Sequence, residues 1–506
     1  MVFLGLPGLE FVSSETSEQT GKRFFLFVII STVIMTLPAL INGSPFLYFD
    51  SNAYLSRPEK VLKLLMEIFD GAGTAGEGDA SNARETNVIG GRSIVYGFFA
   101  WFAYVLGRLW PLVIFQAVLT SAVLGILTLT VLRWKVWIAL GMVVLLSFST
   151  PLAFFAGLAM PDFLAPLTIL SIAILALFAD RLSAGAIGFL VVVLLFAMLS
   201  HTSHFALAAV IFVSLLVAKL LHRNHTDVAF SRSGLSWIGL MLVITFGFAQ
   251  LERAVASRFV GAELLDRPHL TAHLVDNGPG FDWVRTHCDA ATPEPFAICA
   301  FRDRLPVEWR DFLFVRAPEN GVFVATDIEV ATQRALSVED FTFARAVLRD
   351  APGETLSFAF REMIEQLRLI GIESIPLDAD RVSEQQGWVP PDLGPSLERS
   401  LIYNDVRPLA WLSRTSEITA FTSLVVVAGL GALSVFGAKS TPPSVYYWLA
   451  LLILFGVVLN AAICGIAASP YPRFQARIVF LLPLTACILI GCPRSFSLAD
   501  RASSRL

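Results

Sequence analysis

Long apolar runs alternate with polar segments along this chain. About ten of the runs approach or exceed the ~20 residues that a helix needs to cross a bilayer. They lie at residues 24–41, 109–132, 136–157, 163–179, 185–201, 204–221, 234–251, 416–437, 444–468 and 474–491. The pattern predicts an all-α polytopic membrane protein with about ten transmembrane helices.

A shorter apolar run at residues 93–106 decides the predicted topology. As a helix it would be ~21 Å long, against a hydrocarbon core of ~30 Å, and Arg92 and Arg108 flank it. We therefore expect an interfacial or re-entrant helix here rather than a span. With Lys22 and Arg23 before the first span, the positive-inside rule then places the N-terminus and most basic short loops in the cytoplasm. A crossing by 93–106 would move those loops outside.

The polar segments divide the chain into predicted domains. Residues 1–251 form an N-terminal membrane domain with seven spans, and its first external loop, 43–108, carries interfacial helices. Residues 252–415 contain no apolar run of span length and suffice for a soluble domain of mixed structure on the external side. Residues 416–506 add three spans and a short cytoplasmic tail.

The external block carries two further local signals. Residues 339–349 and 354–369 show the spacing of amphipathic helices. Cys288 and Cys299 lie close together in the sequence. They would form a disulfide if this side of the membrane is oxidising.

Composition excludes an ordinary soluble protein. Hydrophobic residues make up 55% and charged residues 15% of the chain, and the mean hydropathy is +0.68. The net charge of −4 says little for a membrane protein, where the position of Lys and Arg matters more. We see no basic cluster with interleaved aromatic residues, so no nucleic acid is expected as a partner.

Few ionisable residues fall at membrane depth on the predicted external side. They are Asp50, Asp162, His201, His204, Arg473 and Arg477. Ionisable groups at such positions are candidates for function. One carboxylate and a basic pair at the same membrane face could accept a proton and bind an anionic group such as a phosphate.

Each acidic candidate also has a structural interpretation. Asp50, which precedes Tyr54 in the same polar stretch, would cap a helix beginning near Ala53. Asp162 follows Pro161 at the head of a span, where proline and an acidic residue form an ordinary helix start.

The basic candidates allow two interpretations as well. His201 and His204 lie in a tight turn, where they would satisfy backbone groups or grip a phosphate. Arg473 and Arg477 are four residues apart and share one helix face. They would snorkel to the interface or, as planar forks beside Asp50, bind an anionic head group.

Several short stretches, combined with this layout, carry a family resemblance. They are Asp50 just beyond the first span, residues 90–99 (Gly-Gly-Arg-Ser-Ile-Val-Tyr-Gly-Phe-Phe), the pair Pro161-Asp162, and residues 473–484 (Arg-Phe-Gln-Ala-Arg-Ile-Val-Phe-Leu-Leu-Pro-Leu). Over its membrane portion the chain resembles the GT-C superfamily of integral membrane glycosyltransferases. That resemblance implies a sugar donor on a polyprenyl phosphate and a catalytic base in the first external loop.

Carried over residue by residue, the resemblance implies that Asp50 is the base. Arg477, with Arg473 beside it, would contact the carrier phosphate. Asp162 would match the second-loop acidic residue that some members use for a metal or the acceptor. The remaining candidate substrate contacts are Tyr54, His201 and His204.

The chain also departs from the family pattern. The second loop has no Asp-x-Asp pair, so a divalent cation, Mg²⁺ or Mn²⁺, stays open as a cofactor without an assigned ligand set. The turn at 201–204 holds histidines where many members carry a lysine. The large polar block lies between the seventh and eighth predicted spans rather than at the C-terminus.

The sequence predicts a glycosyltransferase that acts on the external face of a membrane. The partners would be a polyprenyl-phosphate-linked sugar, the lipid bilayer, and a glycan, lipid or protein acceptor. With one base and no second positioned carboxylate, direct displacement with inversion is expected. The predicted location is the bacterial inner membrane, with the active site facing the periplasm.

Two other classes stay open. An O-antigen ligase or polymerase-like glycan transferase would use a pyrophosphate-linked donor and would not need the long first loop or Asp50. A lipid or glycan transporter, not an enzyme, would favour polar groups in mid-span and internal repeats. The predicted spans consist mostly of Leu, Val, Ile and Phe, which argues against a polar pathway through the bilayer and so against a transporter. Their few polar exceptions are Gln116, Gln250 and Asn460.

Overall fold

The computed structural model describes most of the chain, and the predicted cytoplasmic tail after the last span lies outside the described residues. The described ranges are 17–69, 88–90, 92–221, 230–260, 263–288, 296–384, 389–390, 392–436 and 445–491.

Helices make up nearly all of the first half. They are α1 (Ser17–Asn42), α2 (Ser51–Phe69), α3 (Ile94–Gly107), α4 (Trp110–Gly125, continued by the π-helical Ile126–Val131), α5 (Val136–Ser149), α6 (Leu152–Gly157), α7 (Leu164–Phe178), α8 (Ala184–Ser200), α9 (Thr202–Leu221) and α10 (Arg232–Val260). Short 3-10 turns at Pro161–Phe163 and Ala179–Arg181 flank α7.

The second half is helical as well. Its helices are α11 (His269–Asp276), α12 (Gly280–His287), α13 (Trp309–Phe314), α14 (Val330–Asp350), α15 (Pro352–Arg368), α16 (Ala379–Glu384), α17 (Gly394–Glu398), α18 (Leu401–Asn404), α19 (Arg407–Phe436), α20 (Val445–Ala468), α21 (Pro472–Ala476) and α22 (Leu481–Gly491), with a 3-10 helix at Ala297–Arg304. Two strands, β1 (Val88–Ile89) and β2 (Leu264–Leu265), pair in parallel.

Eight helical segments among the described residues are long and apolar enough to cross a membrane. They are Gly21–Asn42, Trp110–Val131, Pro161–Arg181, Thr202–Leu221, Arg232–Val255, Arg407–Ala432, Val445–Ala468 and Pro472–Gly491. Each overlaps a predicted span, so the prediction of a multi-pass helical membrane protein is confirmed. The other two predicted spans, 136–157 and 185–201, contain the shorter helices α5 and α8. In the first, the helix stops before Pro151, which has no N–H to continue it.

The Pro161–Arg181 segment lies at the centre of the helix assembly. Every residue of its apolar stretch is buried inside the protein, as expected for a helix that is apolar on all sides. The peripheral α1 instead exposes large apolar side chains such as Phe25, Leu26 and Ile29. These outward faces suit contact with lipid.

The apolar run at 93–106 corresponds to α3, Ile94–Gly107, whose 14 residues would measure ~21 Å and fall short of a ~30 Å hydrocarbon core. Its start is capped by Ser93, whose hydroxyl accepts from the Tyr96 N–H at 3.2 Å. Its end turns sharply through left-handed Arg108 and Leu109, so α3 folds back beside the first half of α4. This length agrees with the expected interfacial or re-entrant helix.

The block between α10 and α19 contains a second hydrophobic core, formed by buried residues between 265 and 358. The predicted disulfide between Cys288 and Cys299 is present there. The expected amphipathic helices at 339–349 and 354–369 fall within α14 and α15. Apart from β2, the described residues of this block form helices and irregular segments. Its last part differs from the prediction, because buried residues between 372 and 409 pack into the core of the membrane helices.

Helix α15 fastens this second core to the membrane helices. Gln366 Nε2 donates to the Tyr471 carbonyl, and the Tyr471 N–H donates to Gln366 Oε1, both at 2.9 Å. His273 lies 3.0 Å from the Ile466 carbonyl and 3.1 Å from Glu362. The segment just before Arg473 is thereby held in place.

Candidate active site

An extended segment after α1 carries Asp50 to the head of the central helix. Phe46 forms a parallel bridge with Leu158, and the Ala159 N–H donates to the Phe46 carbonyl at 2.9 Å. Ser51 Oγ donates to the Ala159 carbonyl at 3.0 Å. These bonds place the end of the first loop beside the residues that lead into α7.

Asp50 binds two guanidinium groups. Its Oδ1 accepts from Arg92, and its Oδ2 accepts from Arg473 Nη1 at 3.2 Å. Burial opposes ionisation, but the charges of Arg92 and Arg473 outweigh it and hold the pKa of Asp50 below its ordinary value. Helix α2 begins at the next residue, Ser51, so Asp50 does stand at a helix start. Its carboxylate nevertheless reaches the two arginines rather than serving a capping role alone.

Asp162 is the second carboxylate of the cluster and lies deeper. Its Oδ1 is 3.2 Å from Arg477 Nη1 and 3.5 Å from Arg473 Nε. Its side chain is 2% exposed, against 20% for Asp50. Asp50 is therefore the more accessible of the two carboxylates.

Arg473 and Arg477 project from one helical turn, as their spacing predicts, but neither snorkels. The side chain of Arg473 is 6% exposed and that of Arg477 is fully buried. The Arg473 guanidinium lies over the Tyr48 ring at 4.4 Å. Both arginines therefore belong to the interior of the assembly, and the snorkelling interpretation is wrong for them.

Several groups from other helices hold Arg477. Its Nη2 lies 3.1 Å from Asn460 Oδ1, 3.4 Å from Ser203 Oγ and 3.5 Å from Cys464 Sγ. A fully buried cation is costly unless it is paired and hydrogen-bonded. Asp162 and these polar groups supply that pairing.

The turn between α8 and α9 joins the cluster through Ser203. His201 Nδ1 accepts from the Ser203 N–H at 3.1 Å, which leaves the proton of a neutral ring on Nε2. The His204 ring centre is 5.1 Å from that of His201, and its Nδ1 is 3.1 Å from the Ala197 carbonyl. In a neutral His204 the acceptor is then Nε2, an atom that is buried without a hydrogen-bond partner among the described residues. Because His204 is fully buried, the structure does not place it in contact with a substrate.

Tyr54, expected to contact substrate, is only 1% exposed. Its ring packs edge-on against Tyr96 at 5.0 Å and lies 6.0 Å from the Arg92 guanidinium. Tyr96 in turn donates to Gln116 Oε1 at 2.9 Å. Tyr54 is therefore too buried to contact a substrate in this structure, and its ring packs near Arg92 instead.

The structure adds residues that sequence reasoning did not assign to the site. In the sequence, Arg92 stands out only as a charge flanking a helix, although it lies in the 90–99 stretch that carries the family resemblance. Asn460 stands out only as a polar exception in a span, which is itself a signal of an interior polar contact. For Tyr48 and Ser203 the sequence offers no comparable signal, because their roles depend on tertiary contacts.

The charges of the cluster favour an anion. Three guanidinium groups, from Arg92, Arg473 and Arg477, face the two carboxylates of Asp50 and Asp162, which leaves one positive charge in excess. Within the described ranges, no group of three or more His, Cys, Asp or Glu side chains is placed to hold a metal ion. Both carboxylates already bind cations, so these residues do not fit Mg²⁺ or Mn²⁺.

Comparison of the chain with protein-family models, with curated proteins and with solved structures finds no match in any of the three. The resemblance to GT-C enzymes therefore rests on the sequence motifs alone. A functional interpretation has to come from the chemistry of the ion-pair cluster.

Proposed function

We propose that this protein is a membrane glycosyltransferase of GT-C type, which moves a sugar from a polyprenyl-phosphate carrier to a hydroxyl group of a glycan, lipid or protein acceptor. One observation carries the proposal: three arginines and two aspartates, drawn from distant parts of the chain, meet beside the partly exposed Asp50. A phosphate would complete their charge balance, and guanidinium forks suit its oxygens.

The carrier phosphate is assigned to Arg92 and Arg473. Their side chains are 26% and 6% exposed, whereas Arg477 is fully buried. The sequence pointed to Arg477 as the phosphate contact. Because its guanidinium is enclosed by Asp162 and Asn460, we assign it instead to holding Asp162 and the start of the last span.

Asp50 is the proposed base. As an ionised carboxylate it can accept the proton of the acceptor hydroxyl, but two bound guanidiniums make it a weak base. A donor phosphate that engages Arg92 and Arg473 would compensate their charge and raise the pKa of Asp50. The base would thus become stronger when the donor is in place.

The transfer step follows from these roles. The acceptor oxygen forms a bond to the anomeric carbon and gives its proton to Asp50. The bond from that carbon to the phosphate oxygen breaks, and the phosphate leaves with the electron pair, stabilised by Arg92 and Arg473. Asp162 is buried and ion-paired, so it cannot serve as a nucleophile, and direct displacement with inversion is the expected outcome.

The site is placed on the external face, in a bacterial inner membrane with the active site towards the periplasm. The Cys288–Cys299 disulfide supports this placement, because disulfides persist in oxidising compartments. The distribution of Lys and Arg in the short loops supports it independently.

Transfer by purified Asp50→Asn protein tests the proposal, with membrane lipid extract as the donor source. We expect a loss of about 10²–10⁴-fold in a variant that elutes from size exclusion like the parent. Asp303→Asn is the matched control, since Asp303 is exposed and outside the cluster. Full activity of Asp50→Asn, or lipid movement without sugar transfer, would favour the ligase-like or transporter alternatives.

A further inference from the structure

A cavity of about 370 Å³ lies between strand β1 and the second hydrophobic core. Its lining includes Ile89 of β1, Arg267 just after β2, and Arg316, Thr326 and Gln333. The volume is within the range of about 300–1,000 Å³ typical of small-molecule sites. None of these residues belongs to a candidate membrane span.

Two guanidinium groups, those of Arg267 and Arg316, line this cavity. Among the described residues, no carboxylate forms an ion pair with Arg267 or Arg316. Arg267 Nη1 donates to the Gly90 carbonyl at 2.9 Å, and its guanidinium lies 4.9 Å from the Phe314 ring centre. Its Nε is buried and has no hydrogen-bond partner within the described part of the chain.

The electrostatics of Arg267 favour an anion beside it, because the charge of Asp50 only partly offsets its burial and the charge of Arg92. Burial and the positive charge of Arg92 lower the pKa of Arg267 to about 10. The side chain is still a cation at neutral pH. An anion in the cavity would offset both the burial and the repulsion.

The cavity adjoins the candidate active site. Ile89 lines it, and Arg92, three residues further along, pairs with Asp50. Three residues of extended chain reach at most ~11 Å. The parallel pairing of β1 with β2 fixes Arg267 on the same side, with Gly90 bonded to Leu265 at 2.7 Å.

We propose that this cavity binds an anionic sugar unit of the acceptor, with Arg267 and Arg316 on its phosphate or carboxylate group. Thr326 and Gln333 add polar groups of the kind that bind sugar hydroxyls. Ile89, Leu313, Phe314 and Val324 also line the cavity. A lipid tail would still leave the two cations without an anionic partner, and the cavity lies outside the candidate spans. This inference rests on the proposed function, because it lets one acceptor occupy the cavity and present a hydroxyl to Asp50.

Chemical protection of arginine tests the binding directly. Full-length protein in detergent is treated with phenylglyoxal, which modifies accessible guanidiniums, and each arginine is followed by mass spectrometry. The probes are glucose 6-phosphate and glucuronate, with glucose and inorganic phosphate for comparison. Arg345, exposed and outside the cavity lining, is the internal control.

We expect one of the two sugar anions to slow modification of Arg316 several-fold, with Arg345 unaffected and glucose without effect. The probe that protects identifies the anionic group as a phosphate or a carboxylate. Absence of protection, equal protection of Arg345, or protection by inorganic phosphate as strong as by the sugar phosphate would overturn the proposal.

Kinetics separate this inference from the proposed function. Arg316→Gln removes an exposed guanidinium and should raise the KM for the acceptor several-fold while the KM for the donor stays unchanged. Arg345→Gln should change neither. If Arg316→Gln transfers sugar with an unchanged KM for the acceptor, the proposed acceptor site is wrong and the proposed function is unaffected. If Arg316 is protected in a protein that transfers no sugar, the glycosyltransferase proposal is wrong and the anion-binding site remains supported.

Discussion

Arg473 and Asp50 are 423 positions apart in the sequence, yet their side chains form an ion pair of 3.2 Å. The same guanidinium reaches Asp162 at 3.5 Å. One side chain therefore connects the first external loop, the head of the central helix and the start of the last span. The cluster can form only after nearly the whole chain has assembled.

The bridging role of Arg473 can be tested with two substitutions. Arg473→Gln removes the charge next to Asp50, and we expect kcat to fall by about 10²–10³, the usual effect of deleting a group that stabilises a developing anion. Arg473→Lys keeps the charge but cannot reach both carboxylates as a planar fork, so an intermediate loss is expected. The measurement is the transfer rate of each purified variant relative to the parent. Equal rates for Arg473→Lys and Arg473→Gln would contradict a role that depends on the charge.

The pH dependence of transfer should report on Arg92. With the pKa of Asp50 held below its ordinary value, kcat/KM of the parent should show no acid limb from this group between pH 5 and 7. Its contribution to folding stability is likewise present above the unfolded-state pKa of about 3.9 and is lost as pH falls further.

In Arg92→Gln the pKa of Asp50 rises, so the acid limb of kcat/KM should move up by about one pH unit. Profiles of kcat/KM for the donor, which report ionisation in the enzyme without bound donor, are compared for the parent and the variant. A variant that is slower at every pH without such a movement would show that Arg92 does not act through Asp50.

Removing Asp162 should destabilise the protein as well as inactivate it. Asp162→Asn leaves Arg477 fully buried without its counter-charge, and breaking a buried pair in this way costs about 3–5 kcal/mol. Thermal unfolding in detergent should show the loss. The double variant Asp162→Leu/Arg477→Met removes both charges and should recover most of the stability without recovering transfer. A single variant as stable as the parent would contradict the pairing.

Helix α15 packs so closely on α20 that adding one methyl group at Gly465 should disturb the contact. A Cβ at Gly465 would lie 2.7 Å from the Glu362 carbonyl oxygen, so Gly465→Ala must push the two helices apart and loosen the Gln366–Tyr471 bonds ahead of Arg473. We expect a lower Tm and lower transfer. Gly429→Ala, where a Cβ meets open space, is the matched control. Equal behaviour of the two variants would show that this contact does not position the site.

Sequence patterns predicted much of the fold because long apolar runs have few alternatives in a bilayer. The break at Pro151 and the association of residues 372–409 with the membrane helices depend on packing, which the patterns do not contain. For the site, Asp50, Asp162, Arg473 and Arg477 stood out because ionisable residues at membrane depth are rare.

Their partners could not be derived in the same way. Arg92 and Asn460 become informative only when the start of α3 is placed beside Asp50 and the middle of α20 beside Arg477. The burial of Arg477 could not be predicted for a related reason, since it follows from neighbouring helices and not from the spacing of Arg477 in the sequence.

The all-round burial of Pro161–Arg181 also bears on how the protein is made. A helix with no polar face can enter the bilayer as soon as it is synthesised, before the helices that will surround it exist. Asp162 at its head then has no counter-charge, because Arg477 follows 315 residues later in translation. Until that arginine arrives, the carboxylate has to stay near water or remain protonated, so the last span acts as the closing step of membrane assembly.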